Sequence, residues 1–318
     1  VELATILGTI QSTLTDFKYL SKEWKDNTEE ERLLGVSLTG IMDNELLNGS
    51  LADLDDEFML HHLLQRLRLH ARETNEKWAG MLGIPSSAAI TCVKPSGTVS
   101  QLVNSASGIH ARHNKYYIRR IRMDKKDPMY VFLKDKGMVV EDDVRNIEST
   151  AVFSFPFESP EGAICRTDRT AIEQLELWLI YQRHWCEHKP SVTVSVKDEE
   201  WPDVIAWVWK YFDELSGVSF LPFSDHSYVQ APYEDILDKK NVKVLKKGYQ
   251  DLPAMLILNI AAEGIDVYDL VDISAEEQYN KMVESLPTTI DFTQMIEDRD
   301  VTEGSQTLAC TAAGGCEI

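Results

Sequence analysis

Ile90-Thr-Cys-Val-Lys94-Pro95-Ser96-Gly97-Thr98-Val99-Ser100 decides how this chain is read. Ala88–Val93 is a short apolar run ending in β-branched residues, the mark of a buried strand. Pro95 and Gly97 interrupt it, and a helix opens at once. A strand that passes through a small-residue turn into a helix gathers backbone amides and the positive end of a helix dipole at one place, which suits a phosphate. Gly97 admits close backbone approach, and Ser96, Thr98 and Ser100 offer hydroxyls. The same pattern also makes an ordinary strand-to-helix turn with a Ser/Thr cap, and the residues alone leave both readings open.

Outward from this turn, short apolar runs alternate with helical periods. Strands are expected at 33–39, 88–93, 151–157, 191–196 and 218–221. Helical stripes run through residues 1–20 (Leu3, Ile6, Leu7, Ile10, Leu14) and from Leu54 to Met81, where Gly83 and Pro85 follow. Thr170 and Glu173 form a capping box ahead of a helix, and Pro202 opens another. Tyr116–Met123 alternates and is expected to pair with 137–141 as a hairpin. The alternation implies an α/β chain with a largely parallel sheet, part of a barrel.

Composition narrows the chemistry. Lys and Arg number 32 against 52 Asp and Glu, a net charge of −20 in 318 residues, which repels nucleic acid polymers. Apolar residues make up 43%, enough for a real core, and no apolar run is long enough to span a bilayer. Against the acidic background, His110–Lys126 holds Arg112, Lys115, Arg119, Arg120, Arg122, Lys125 and Lys126 beside one carboxylate, Asp124. Arginines grip phosphate through two donors at once; paired with the acidic surface they are a solvated charged strand. His110 and His113 can join the phosphate region. His184 and His188 flank Cys186 at metal-ligand spacing, but no third ligand is evident and no metal is expected. Cys92, Cys165 and Cys186 read as packed thiols in a reducing compartment. Cys310 and Cys316 close the chain in a glycine-bearing segment without periodicity. That placement suits a mobile dithiol, and equally a frayed end or half of a metal site.

Taken together, Lys94-Pro-Ser-Gly-Thr-Val-Ser100, Ser107-Gly-Ile-His110, Tyr116-Tyr-Ile-Arg-Arg-Ile-Arg122, Ser191-Val-Thr-Val-Ser195, His226-Ser-Tyr-Val-Gln-Ala-Pro-Tyr233 and the tail from Gly304 to Ile318 resemble the adenosylcobalamin-dependent (class II) ribonucleotide reductases, over about Glu31 to Ile318. The resemblance implies a ten-stranded α/β barrel of two five-stranded halves, of which residues 1–236 are the C-terminal half. Residues 276–297 end that domain, and 298–318 are a flexible redox tail. It implies an enzyme that reduces ribonucleotides to 2′-deoxyribonucleotides by radical chemistry, in the cytoplasm, with adenosylcobalamin as cofactor. Pro95, Ser96, Gly97, Thr98 and Val99 would bind the substrate phosphates. Cys310 and Cys316 would carry electrons from a thioredoxin- or glutaredoxin-like protein.

Two departures qualify the resemblance. The family's radical-bearing cysteine lies in an Asn-x-Cys-x-Glu loop, which is not found here, so Cys92, Cys165 and Cys186 receive no such role. The chain, which opens at Val1 inside a helical pattern, is read as a piece that needs the N-terminal half of the reductase as partner. Residues 237–275 fit nothing in the family pattern and are left unplaced, with an inserted helical segment and an interaction surface both open. Two other readings stay open: the large subunit of a class I reductase, and a non-catalytic nucleotide-binding fragment.

Overall fold

The computed structural model describes residues 1–50, 57–97, 99–223, 229–236 and 274–295. They fall into two compact units. The first spans Val1–Arg112 and Glu161–Phe223; the second contains His113–Pro160 and the described residues after 223.

In the first unit, helices α1 (Glu2–Gln11) and α2 (Lys22–Glu31) precede strand β1 (Val36–Ser37). Helix α3 (Glu57–Leu82) leads to β2 (Thr91–Cys92) and to α4 (Val99–Leu102). The second unit contributes β3 (Tyr116–Asp124), α5 (Pro128–Asp135), β4 (Val140–Asp142) and β5 (Thr150–Glu158). The chain then returns to the first unit with α6 (Ala171–His184), β6 (Val192–Val196), α7 (Trp201–Lys210) and β7 (Val218–Pro222). It closes in the second with β8 (Tyr233–Asp235) and α8 (Ala275–Glu284).

All strands of the first unit run parallel. Val36 pairs with Thr91, a bridge joins Val93 to Pro190, and β6 pairs with β7 from Val192–Val218 to Val196–Pro222. The spatial order is therefore β1-β2-β6-β7. Parallel strands need cover on both faces, and α3 and α6 help to supply it. Leu64, Leu175, Trp178, Tyr181 and Trp185 are fully buried together with Val194 and Val196. The Trp185 indole donates to the Cys92 carbonyl at 2.7 Å, tying the end of α6 to β2. The expected capping box is present. The Glu173 amide donates to Thr170 Oγ1 at 3.2 Å and the Thr170 amide to Glu173 Oε2 at 2.7 Å. Pro202 sits in the first turn of α7, as expected.

Helix α1 turns its small residues inward. Thr5 and Thr9 have no exposed surface, and their hydroxyls donate to the carbonyls of Val1 and Thr5. Asn75 of α3 donates to Thr9 Oγ1 at 3.0 Å and to Ser87 Oγ at 2.9 Å.

The second unit corrects two expectations. Residues 151–157 do not join the parallel set. They lie in β5, the centre of an antiparallel sheet ordered β4-β5-β3-β8, in register from Tyr116–Glu158 to Asp124–Thr150. A central strand covered on both faces reads as an apolar run whatever its direction. Here Phe153 packs with Leu133 and Met138 on one side while Val152 and Ser154 are buried on the other. The expected partner of 116–123 is also displaced: β4 pairs with β5, Val140 against Phe153, and not with β3. Among the described residues no helix is long and apolar enough to cross a membrane.

Candidate functional site

The turn singled out in the sequence leaves the C-terminal end of β2, inside the parallel set, where α/β folds place their ligands. Its stem is fixed by three backbone anchors. The Lys94 amide donates to Ser37 Oγ at 2.9 Å, the Ser96 amide to Ser107 Oγ at 2.8 Å, and the Ser100 amide to Ser96 Oγ at 3.0 Å. Lys94, Gly97 and Val99 are exposed, Pro95 and Ser96 half-buried, and Thr98 lies outside the described residues. The helix that follows is a single turn, Val99–Leu102. The dipole invoked from the sequence is correspondingly short, and the Ser96 amide is already engaged. The exposed Lys94 is the positive charge carried by the turn itself.

A second segment, Ser105–Ala111, backs the turn. Gly108 has φ +56°, and a Cβ there would sit 3.0 Å from the Lys94 carbonyl oxygen and 3.2 Å from Val93 Cγ1, so only glycine fits. Its amide donates to Thr39 Oγ1 at 3.0 Å. Beneath lies a buried ion pair. Arg112, 3% exposed, gives both Nε and Nη2 to the Asp43 carboxylate at 2.8 Å and also reaches Asn104 Oδ1 at 2.9 Å and the Asn104 carbonyl at 2.7 Å. Asp43 Oδ2 accepts from the Ala106 amide at 2.7 Å. One guanidinium thus locks three segments behind the turn. His110 adds a strut: its Nδ1 faces the Ser107 carbonyl at 2.9 Å, and its Nε2 accepts from the Thr193 amide of β6 at 3.0 Å. That pair of contacts sets the proton on Nδ1. Burial lowers the pKa of His110 despite the Ser107 carbonyl, so the ring stays neutral.

The basic stretch is engaged within the units that hold it. Its cations are matched with carboxylates: Arg112 with Asp43, Lys115 with Glu158, Arg120 with Glu234, Arg122 with Asp143 and Lys125 with Asp142. Arg119 lies over the Tyr233 ring at 5.5 Å. Burial raises Glu234 and Glu141 above the ordinary carboxylate range even though Arg120 opposes the shift. His113, expected near the phosphate, belongs to the second unit and meets Asp235 at 3.1 Å. The carboxylate partners lie far off in sequence or across strands, so composition alone could not reveal them. The signals for the backing segment were its run of small residues, Ser105-Ala-Ser-Gly108, and the Ser107–His110 motif that carries part of the resemblance.

Two cysteines of the described region are disfavoured as thiolates. Burial raises the Cys92 thiol, against the opposing effects of Ser37 and Lys94, and raises Cys186 further. Cys310 and Cys316, the two tail cysteines, lie outside the described residues. Among the described residues no group of three or more His, Cys, Asp or Glu is placed to hold a metal.

His184 instead meets His61 edge-on, Nε2 to Nε2, with Gln65 at its Nδ1 at 3.0 Å. Burial, then His61, Arg183 and Arg68, push its pKa down to about 4 from 6.5. The unfolded chain therefore takes up a proton that the folded chain refuses. Stability should be full above about pH 6.5 and decline as the pH falls towards 4. Urea melts across that range should show the decline, and His184→Gln should flatten it; an unchanged slope in the variant would remove His184 as its source.

Comparison with known proteins sets this turn in context. No family model matches the chain. A solved structure described as a B12-dependent (class II) ribonucleotide reductase shares the fold. It has a TM-score of 0.63 and 21% identity, over 89% of this chain and 39% of that one. The chain thus has the fold of that reductase structure. Among curated proteins, the probable adenosylcobalamin-dependent ribonucleoside-triphosphate reductase of Dictyostelium discoideum is 34% identical over 227 residues, 68% of this chain and 28% of the relative. The adenosylcobalamin-dependent ribonucleoside-triphosphate reductase of Euglena gracilis is 29% identical over 78% of this chain and 34% of its own length. That of Levilactobacillus brevis is 30% identical over 65% and 31%. The chain is a relative of the adenosylcobalamin-dependent ribonucleotide reductases, and it spans about a third of the length of the curated relatives it matches.

Proposed function

We propose that this chain is the C-terminal portion of an adenosylcobalamin-dependent ribonucleotide reductase, and that the whole enzyme reduces ribonucleoside di- or triphosphates to 2′-deoxyribonucleotides. The observation that carries the reading is the turn after β2, held from behind by the buried Arg112–Asp43 pair, in a chain whose relatives bear that activity in their names. The four parallel strands of the first unit are part of a ten-stranded barrel. The substrate phosphates rest on Pro95, Ser96, Gly97, Thr98 and Val99. Lys94 supplies charge, and Gly108 keeps the backbone behind the turn close.

Replacing a 2′-hydroxyl by hydrogen releases water and consumes two electrons and two protons. Two thiols provide them as they join in a disulfide. In this reading Cys310 and Cys316, on a flexible tail, reduce that disulfide by exchange and are reduced in turn by a thioredoxin- or glutaredoxin-like protein. The reducing environment this needs is consistent with the cytoplasm.

When bound, adenosylcobalamin supplies the radical chemistry. No built site for it is identified among the described residues. Several described imidazoles have protein partners: His61 with His184, His70 with Glu2, His110 with Ser107 and Thr193, His113 with Asp235, and His188 with the Leu34 carbonyl. No residue here is assigned to the cofactor.

The test is made on the whole enzyme. Ribonucleotide reduction should appear on adding adenosylcobalamin, with no second subunit. Activity that requires a metal-bearing second subunit and ignores cobalamin would replace this reading with that of a class I large subunit.

A further inference from the structure

Helix α1 is built to be covered on two sides, and the described residues of the first unit cover only one. At 100° per residue, Thr5, Gly8 and Thr9 form the inner face, which packs on α3 and on Leu34, 3.5 Å from the position a Cβ on Gly8 would take. Leu3, Leu7 and Ile10 lie on the opposite side, 82%, 58% and 43% exposed, and Leu14 continues the line just past the helix end at 74%. The helix is thus inverted: hydroxyls are buried and leucines face outward. Burying Thr5 and Thr9 brings no apolar gain that would make this the preferred side. The intervals of four, three and four residues are those of a helix–helix seam. A helix apolar on its outer face and packed on its inner one is an interior helix.

We infer that the Leu3–Leu7–Ile10–Leu14 seam is the surface on which the remaining part of the reductase packs, with an apolar helix as its counterpart. This rests on the reading under Proposed function. The occupant is indicated by length: the curated relatives match this chain over only 28–34% of their own residues, so most of their fold lies outside it. A second copy of this chain is the less suitable occupant. A free-standing dimer needs roughly 800 Å² from each partner, more than four aliphatic side chains present, whereas a continuing domain brings further contacts with it.

The experiment mixes this chain with a polypeptide comprising the part of the Dictyostelium discoideum reductase outside its match, and measures association by sedimentation. A triple variant, Leu3→Lys, Leu7→Lys and Ile10→Lys, is compared with the parent. The variant alone should keep the parent's melting transition, since these side chains face outward. Its association should weaken by about 100-fold or more. Association within a few-fold of the parent would overturn the seam and leave the reductase reading standing. A parent that self-associates through the seam, with the variant monomeric, would give the surface to a second copy and also overturn the inference. No association by the folded parent would sink the reductase-portion reading itself.

Discussion

Serine at both Cys310 and Cys316 is expected to abolish ribonucleotide reduction driven by a thioredoxin-like protein in the whole enzyme, while sparing a single turnover of pre-reduced enzyme. A thiol pair on a tether works at an effective concentration that free reductant does not reach, an advantage of roughly 10²–10⁴-fold. Its loss should therefore appear as a fall in protein-driven turnover of that order. A small dithiol that needs no tail to deliver its electrons should restore much of the rate. The measurement is steady-state deoxynucleotide formation with each reductant, beside the single-turnover yield. Full protein-driven activity in the double variant would end the shuttle proposal. The raised thiols of Cys92 and Cys186 make them poor substitutes, because exchange requires the thiolate.

Asp43→Ala is expected to destabilise the first unit strongly. It leaves the Arg112 guanidinium buried without its carboxylate, at a cost of roughly 3–5 kcal/mol. That is a large share of the roughly 5–15 kcal/mol by which a domain is stable. The double change Asp43→Leu with Arg112→Met should recover much of the loss, since removing both charges removes the desolvation penalty with them. The urea midpoint of each variant checks this, and a single Asp43→Ala variant with the parent's midpoint would show that the pair contributes nothing. If the pair also positions the turn, the double variant should remain folded yet bind nucleotide phosphates less tightly. That separation would distinguish positioning from stability.

What the sequence made legible was local. The strand and turn of Ile90–Ser100, the Thr170–Glu173 box and the Pro202 start each depend on residues within a few positions, and each stands in the fold. What it hid was long-range. Arg112 and Asp43 are 69 residues apart, and a cation run reads the same whether it faces a phosphate or its own carboxylates. The apolar content of β5 did not say which way its neighbours run. The stripe from Leu3 to Leu14 was visible, but a period cannot say which face a helix buries when both are suitable. Helices α2 and α5 went unread. The polar α2 has no buried residue to betray it and the eight-residue α5 only Leu133.

The parallel order of the first unit also bears on how the chain reaches its native state. Neighbouring strands there meet across 55, 97 and 26 residues, Val36 with Thr91, Val93 with Pro190 and Val192 with Val218. No tight hairpin nucleates this sheet, and each pairing must first meet the entropy of closing a long loop. High contact order of this kind makes for slow folding. During that interval unpaired edges are open to aggregation, so production of the chain should benefit from low temperature and chaperones.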